Sequence, residues 1–309
     1  MHSLAGWLAD RLGALLGSFD LTLVDVGSMG GLEDQWAPLA GHVRMLGFEP
    51  DQREFEKLTA TERRTYLPLV LLDRPVRTVL HVSRDPGKTS IYPPNLPLLA
   101  AFPNVERFEV VEVQTVPRSG VASLDDAARS ASVSDVDVLK LDTQGSELRV
   151  LRGAAGALRE ALAVKVEVSF LEIYAGQPLF ASIDSLMRRS GFELMDIDRV
   201  YWKRAIHTGY EGRGQLAFAD ALYFRSLDEV WRLLECHPDP VRKALKLVLV
   251  GVLFGFHDHA LSVLEGCRAR NPTQARLLSE VAGAITGYDE SFGCWATGDR
   301  RLGGLANVT

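Results

Sequence analysis

Cysteine is scarce in this 309-residue chain: there are three, Cys236, Cys267 and Cys294, far apart and all late. No Cys-x-x-Cys pair exists, which argues against a zinc site or a disulfide framework and makes a reducing cytoplasm the expected compartment. Positive charge is not in surplus either, with 34 Lys plus Arg against 40 Asp plus Glu. The net charge of −6 argues against general nucleic-acid binding, because neutralising phosphates needs a basic field. The most apolar stretch, Leu247 to Phe256, covers ten residues. About 20 are needed to span a bilayer, so no transmembrane segment is expected. Internal repeats and low-complexity tracts are absent.

What remains is the texture of a globular α/β protein with room for one large domain and an appendage of roughly 80 residues. The start resembles a targeting segment only superficially. Leu4, Trp7, Leu8, Leu12, Leu15, Leu16 and Phe19 recur at helical spacing, and Asp10 and Arg11 interrupt any signal-peptide core. An amphipathic helix over residues 1–20, packed on the domain, is the expected state; contact with a membrane surface is the alternative.

Apolar runs then alternate with helical patterns, which indicates βαβ units and a largely parallel sheet. Strands are expected at Leu21–Val26, Val43–Phe48, Val76–Val82, Phe108–Val116, Val136–Leu141 and Ala163–Phe170, with Phe192–Ile197 and Ala217–Arg225 as a closing pair. Helices are expected near Leu32–Leu39, Asp51–Ala60 and Gly145–Leu151. At Ser226 the texture changes. Ser226-Leu-Asp-Glu229 is a capping box, and four helical stretches follow, so residues 226–309 read as a helical extension to a domain at 21–225.

The first strand runs into Asp25-x-Gly27-x-x-Gly30-Gly31. Glycines after a buried strand let a ligand approach the backbone. Many turns carry glycines, and the signal strengthens only with Glu49, which ends the second strand 24 residues after Asp25. A carboxylate there can accept both hydroxyls of an adenosine ribose. A dinucleotide site favours G-x-G-x-x-G packed on a pyrophosphate, whereas this turn puts an acid ahead of its first glycine. That suits a ligand with an ammonium group and no phosphate, such as S-adenosylmethionine.

Several stretches together resemble the FkbM-type methyltransferases, a branch of the class I S-adenosylmethionine-dependent enzymes. They include Val24-Asp-Val-Gly-Ser-Met-Gly-Gly31, Gly47-Phe-Glu-Pro50, Asp85-Pro-Gly-Lys-Thr-Ser-Ile-Tyr-Pro-Pro-Asn95 and Ser123-Leu-Asp-Asp126. Further along come Val136-Asp-Val-Leu-Lys-Leu-Asp-Thr-Gln-Gly-Ser-Glu-Leu148, Val166-Glu-Val-Ser-Phe170, Gly176-Gln-Pro-Leu-Phe180, Gly191-Phe192 and Asp220-Ala-Leu-Tyr-Phe224. The Lys-x-Asp-x-x-Gly-x-Glu pattern from Lys140 to Glu147 is the most specific, and coverage runs from about residue 20 to 225. The resemblance implies a Rossmann-like, seven-stranded, mostly parallel sheet with helices on both faces, and methylation of a hydroxyl on a sugar, glycan or polyketide-type metabolite. The family often has Glu where this chain has Gln144. Carried over by position, Asp25, Gly27, Ser28 and Gly30 line the methionine end of the cofactor and Glu49 holds the ribose. Ser83 lies beside the adenine and Asp142 next to the sulfonium.

Transfer to an alcohol needs alignment and removal of a proton. Asp142, Glu167 and, less favourably, His207 are the candidate bases. Asp142 also fits a structural role as an N-cap for a helix at Gly145, and Lys140 fits a buried ion pair with Glu167. No dense carboxylate or histidine cluster calls for a metal, and none is expected. His257-Asp258-His259 points its histidines to different sides of a helix. The expected partner is a small-molecule or glycan hydroxyl, with self-association through the C-terminal helices as a further expectation. A nicotinamide oxidoreductase and a non-catalytic cofactor-binding subunit are the competing functions. The acid-first turn and the lack of a Tyr-x-x-x-Lys pair count against the former.

Overall fold

The structure, a computed structural model, describes residues 3–291. Strand β1 (Leu21–Val26) is buried at every residue but Thr22, as a central parallel strand covered on both faces must be. It pairs in parallel with β2 (Val43–Phe48), which pairs in turn with β3 (Arg64–Leu67). Four strands stay outside this sheet: β4 (Val70–Leu71), β5 (Thr78–Ser83), β6 (Val110–Val116) and β7 (Val121–Ala122). Of these β4 pairs with β7, and β5 forms an antiparallel ribbon with β6. The main sheet resumes with β8 (Val138–Leu141), β9 (Ala163–Ser169), β10 (Phe192–Trp202) and β11 (Gln215–Arg225).

The order is β10-β11-β9-β8-β1-β2-β3, with β11 alone running against the rest. This is a Rossmann-like seven-stranded sheet. Its order reverses between β1 and β8, where a crevice opens beyond the carboxyl ends of the strands.

Two helical layers cover it. Helix α1 (Leu4–Leu16) begins at Ser3, whose hydroxyl accepts from the Gly6 amide; α2 (Gln52–Phe55) and α3 (Leu96–Leu99) are single turns. On one face α4 (Leu124–Ser130), α5 (Glu147–Arg152), α6 (Ala155–Glu160) and α7 (Phe180–Arg189) pack on Val24, Val26, Leu139, Leu141, Val164 and Val166. The alternate residues Leu21, Leu23, Val43, Met45, Val138 and Ala163 face the other way, since successive side chains of a strand alternate. That face is covered by α1 together with α8 (Leu227–Cys236), α9 (Pro240–Leu253), α10 (His257–Arg270) and α11 (Ala275–Ser291). The chain after Ser226 therefore shares one core with the sheet, and the apolar run beginning at Leu247 belongs mostly to α9 inside that layer.

Helix α9 is also tied to the sheet by charge. Lys243 and Asp137 are fully buried, and Lys243 and Lys246 each pair with both Asp135 and Asp137 just ahead of β8. Asp137 accepts the Thr22 amide as well, at 2.8 Å.

Three expectations need correction. The third parallel strand is Arg64–Leu67, while Val76–Val82 contributes to the β5–β6 ribbon. A short edge strand beginning Arg64-Thr65 carries too little apolar pattern to announce itself, whereas the valines around residue 80 suit any pleated strand. The helix expected over Asp51–Ala60 closes at Phe55, and Asp34–Leu39 is a 3-10 helix containing Pro38. Among the described residues no helix is long and apolar enough to cross a membrane.

Candidate functional site

The carboxyl ends of β1, β2, β8 and β9, with the amino-terminal half of the antiparallel β11, open into a cavity of ≈ 380 Å³, within the ~300–1,000 Å³ usual for small-molecule sites. Gly27, Glu49, Asp142, Gln144, Glu167, Phe218 and Asp220 face it from the sheet, and Asp85 to Ile91 roof it. The roof leaves the sheet through the ribbon and is pinned from below. Asp51, just past Glu49, accepts the Thr89 hydroxyl at 3.0 Å and pairs with Arg53, which itself donates to the Ser83 carbonyl at 2.9 Å.

The glycine turn is dictated by a close approach. Gly27 has φ +81°, and a Cβ there would lie 1.9 Å from the Asp142 carbonyl oxygen. No side chain fits where β1 and β8 converge, and the Asp142 amide donates to Val26 at 2.9 Å across the same gap. The amides of Gly27 and Ser28 both donate to the Phe48 carbonyl, at 2.9 and 3.0 Å, which folds the turn onto the end of β2. Gly30, also at positive φ, has open space where its Cβ would be.

Beneath the turn Asp25 lies opposite Lys140 in the parallel register of β1 and β8. The Lys140 ammonium sits 3.0 Å from Asp25 Oδ1, donates to the Gly27 carbonyl at 3.0 Å and lies 3.7 Å from Glu33. Burial pushes the Asp25 carboxyl up to about 7, with Lys140 pulling it back down. The expected Lys140–Glu167 pair is thus replaced by Lys140–Asp25. The register is the reason, since it sets Lys140 beside Lys165 on its other flank. Glu33 spans the two lysines, 3.0 Å from Lys165, and Lys165 continues to Asp220 at 3.5 Å.

Glu49 ends β2 where Pro50 stops the ladder. One of its oxygens accepts the Asp51 amide at 2.9 Å. Burial raises its carboxyl to about 7, against that hydrogen bond. Asp142 accepts from the Gln144 side-chain amide at 2.8 Å, and the same nitrogen lies 3.2 Å from Glu167. Asp142 does not cap the next helix: α5 starts at Glu147 with Ser146 in the cap position. The turn between them is stapled by Glu147, which accepts from the Thr143 amide, the Thr143 hydroxyl and the Gly145 amide at 2.8, 3.0 and 3.1 Å. Burial raises Glu167 well above the ordinary carboxylate range, and the nearby Asp142 and Glu147 add to it.

Of the residues expected at the site, Gly27, Glu49, Asp142 and Glu167 line the same cavity. Asp25, Ser28, Gly30 and Ser83 are not on it. Asp25 and Ser28 lie buried under the turn, and the Ser28 hydroxyl has no hydrogen-bond partner. The Ser83 hydroxyl donates to the Lys88 carbonyl at 2.9 Å, inside the roof. His207 is off the wall too, its ring against Tyr210. Sequence reasoning missed Glu33, Lys88, Lys165, Phe218 and Asp220 as site residues. Asp220 had a signal: it is the one acid in the alternating strand Ala217–Arg225. Among the described residues no group of three or more His, Cys, Asp or Glu is placed to hold a metal ion.

The donor set suits S-adenosylmethionine. Glu49, Asp142, Glu167 and Asp220 line a cavity whose cations are Lys88 and Arg107, and Arg107 is paired with Asp85 at 2.8 Å. Such a lining favours a ligand carrying a sulfonium and an ammonium, and it opposes a pyrophosphate. Glu49, a carboxylate ending β2, adds a further acceptor on the same lining.

The sequence profile of the methyltransferase FkbM domain matches residues 25–194. The 2-O-methyltransferase NoeI of Sinorhizobium fredii is 25% identical over 188 residues, covering 59% of this chain and 76% of that protein. Among solved structures, the magnesium protoporphyrin IX methyltransferase of Synechocystis PCC 6803 aligns with a TM-score of 0.34 at 11% identity, over 72% of this chain and 78% of the other. The precorrin-6y C5,15-methyltransferase of Geobacter metallireducens aligns with a TM-score of 0.34 at 11% identity, over 71% and 87%. At these scores neither overlay bears on which residues act.

Proposed function

Because the chain belongs to the FkbM methyltransferase family, whose members use S-adenosylmethionine, we propose that it methylates a hydroxyl oxygen of a sugar, glycan or polyketide-type metabolite, with Glu167 as general base. One observation carries this: Asp142, Glu167 and Asp220, from the adjoining strands β8, β9 and β11, line the cavity together with Phe218, whereas Glu49 ends β2 on the far side of β1. Carboxylates that accept hydroxyl protons next to an aromatic face are the chemistry a polyol needs. The relative from Sinorhizobium fredii, named a 2-O-methyltransferase, supports oxygen as the acceptor.

When bound, the cofactor supplies an activated methyl group on a positively charged sulfur. Glu49 accepts the ribose hydroxyls, and Gly27 and Gly30 let the cofactor approach the backbone. Asp25 faces the methionine end from below, its charge balanced by Lys140. Ser28 shapes the floor of the turn, and Ser83 shapes the roof through its bond to Lys88. Asp142, at the end of β8, would lie beside the methyl-bearing end of the cofactor. Its carboxylate favours the positive charge there and helps orient the acceptor. Glu167 would accept the proton of the acceptor hydroxyl, freeing its oxygen to take the methyl group that the cofactor would supply. Burial and the neighbouring acids raise the affinity of Glu167 for a proton, as a general base needs.

The test is incubation with S-adenosylmethionine and a panel of sugars, oligosaccharides and hydroxylated polyketides. Formation of S-adenosylhomocysteine must be matched by a product whose added methyl is located on oxygen by NMR. A methyl found on nitrogen or carbon, or cofactor binding without turnover on any acceptor class, counts against the proposal.

A further inference from the structure

Gln144 occupies an unusual position for a glutamine. Its φ is +55°, a left-handed conformation that costs a non-glycine residue about 1–2 kcal/mol, and its side chain is buried. Such an outlier persists only where the surroundings hold it, and here the side-chain amide and the backbone carbonyl are all engaged. The side-chain nitrogen donates to Asp142 at 2.8 Å and to Glu167 at 3.2 Å. The side-chain oxygen accepts the Tyr174 hydroxyl at 2.8 Å, and the backbone carbonyl accepts the Ser90 hydroxyl at 2.6 Å. The partners set the orientation of the amide: its nitrogen faces the two acids and its oxygen faces the Tyr174 hydroxyl, which also lies 3.1 Å from the Lys88 carbonyl.

We propose that Gln144 is a positioning residue for the transfer step: its neutral amide joins Asp142 and Glu167 at one donor group and holds both aimed into the cavity, while Tyr174 and Ser90 lock the amide to the roof. This rests on Glu167 being the proton acceptor. The groups facing Glu167 are mostly acidic: Asp142 from the end of β8, Glu147 from α5 and Asp220 from β11. Lys88 from the roof acts in the opposite sense, and Tyr174 adjoins it from the segment after β9. On its own strand Lys165 is turned to Glu33 and Asp220. With so little positive charge nearby, the two amide hydrogens are what let two carboxylates share this wall. A carboxylate at position 144 would be a third acid and would raise the base further.

The experiment is the pH dependence of kcat at saturating cofactor and acceptor for Gln144→Glu, with Gln144→Asn as a shorter amide that tolerates the left-handed backbone but cannot reach both acids. Calorimetry with S-adenosylmethionine confirms that each variant is folded. Gln144→Glu is expected to move the acid limb to higher pH by about one unit, which is ~tenfold in rate on that limb. Its rate should recover towards wild type at high pH, and Gln144→Asn should move the limb in the same direction by less. A rate lowered equally at every pH, or an unmoved limb in both folded variants, overturns the proposal. Glu167→Gln separates the two ideas: retained turnover there sinks the assignment of the base, whereas lost turnover with an unmoved limb in Gln144→Glu sinks the positioning role alone.

Discussion

The ammonium of Lys140 lies 3.0 Å from the carboxylate of Asp25, and the same ammonium holds the Gly27 carbonyl that begins the glycine turn. One buried cation therefore both neutralises the acid under the turn and fixes the path of the backbone above it. Breaking such a pair from one side leaves an uncompensated charge, which costs about 3–5 kcal/mol. Lys140→Met should destabilise the protein by that order in urea unfolding. The loss should be larger at pH 8 than at pH 6, because an unpaired Asp25 carboxyl, already raised to about 7, can take up a proton at the lower pH. The double variant Asp25→Asn with Lys140→Met should recover much of the loss. Additive losses would show that the pair is not coupled.

In its proposed role as ribose acceptor, Glu49 would tie cofactor affinity to pH. Its carboxyl is pushed up to about 7 by burial, and the ionised form is the stronger acceptor of ribose hydroxyls. Affinity for S-adenosylmethionine should therefore fall as pH drops through 7, by about tenfold per unit at most. Glu49→Gln should weaken binding by roughly 10–100-fold, the worth of a hydrogen bond to a charged group, and should flatten the pH dependence. Calorimetry across pH 6 to 8 checks both. An unchanged slope in the variant would assign the titration to another group.

Glu167→Gln should lower kcat by about 10²–10⁴, the range for losing a general base. Cofactor affinity should stay near wild type, since Glu167 lies on β9 and Glu49 ends β2 on the far side of β1. Single-turnover kinetics with bound cofactor read this directly. A variant that loses affinity and keeps its rate would move Glu167 from chemistry to binding.

Gly27 and Gly30 share a positive φ but differ in space. Gly30→Ala faces nothing within 4 Å and should cost only the backbone penalty of about 1–3 kcal/mol. Gly27→Ala puts a methyl 1.9 Å from the Asp142 carbonyl oxygen, so it must force β1 and β8 apart. It should be the worse of the two in thermal unfolding and should abolish cofactor binding where Gly30→Ala only weakens it. Equal effects would mean that conformation alone matters at both positions.

The buried ions at the opposite edge of the sheet give a test of how α9 is held. Asp137→Asn or Lys243→Met should cost about 3–5 kcal/mol, with cofactor affinity of the folded fraction unchanged because the cluster lies at the amino end of β8. Loss of affinity without loss of stability would contradict that separation.

Much of this was legible beforehand because it depends on local pattern. The run from Leu21 to Val26 is apolar at both alternations, so it had to be a strand covered on both sides, and the glycines after it had to turn. Glu49 followed from its place at the end of the next such run, and the motif from Lys140 to Glu147 placed the chain within a family. The partners of these residues were not legible in the same way. Lys140 suits Asp25 or Glu167 equally well as a charge, and only the parallel register, with Asp25 and Lys165 on its two flanks, decides between them. Val76 to Val82 reads correctly as a strand, but strand propensity does not say which neighbour supplies the hydrogen bonds. Arg64 to Leu67 completes the sheet with almost no apolar signal of its own.

The chemical inventory was visible in the sequence alone: an acid-first glycine turn, a carboxylate ending the second strand, and two acids at later strands. Tertiary structure decided what that inventory amounts to. It took the helices after Ser226, which read as an appendage, and laid them over one face of the sheet. It also buried Lys140 under Asp25 and gathered Asp142, Gln144, Glu167 and Tyr174 around one amide. The reason is physical. Backbone periodicity is written in residues a few positions apart, whereas burial, register and hydrogen-bond partnership arise between residues that the fold alone brings within 3 Å.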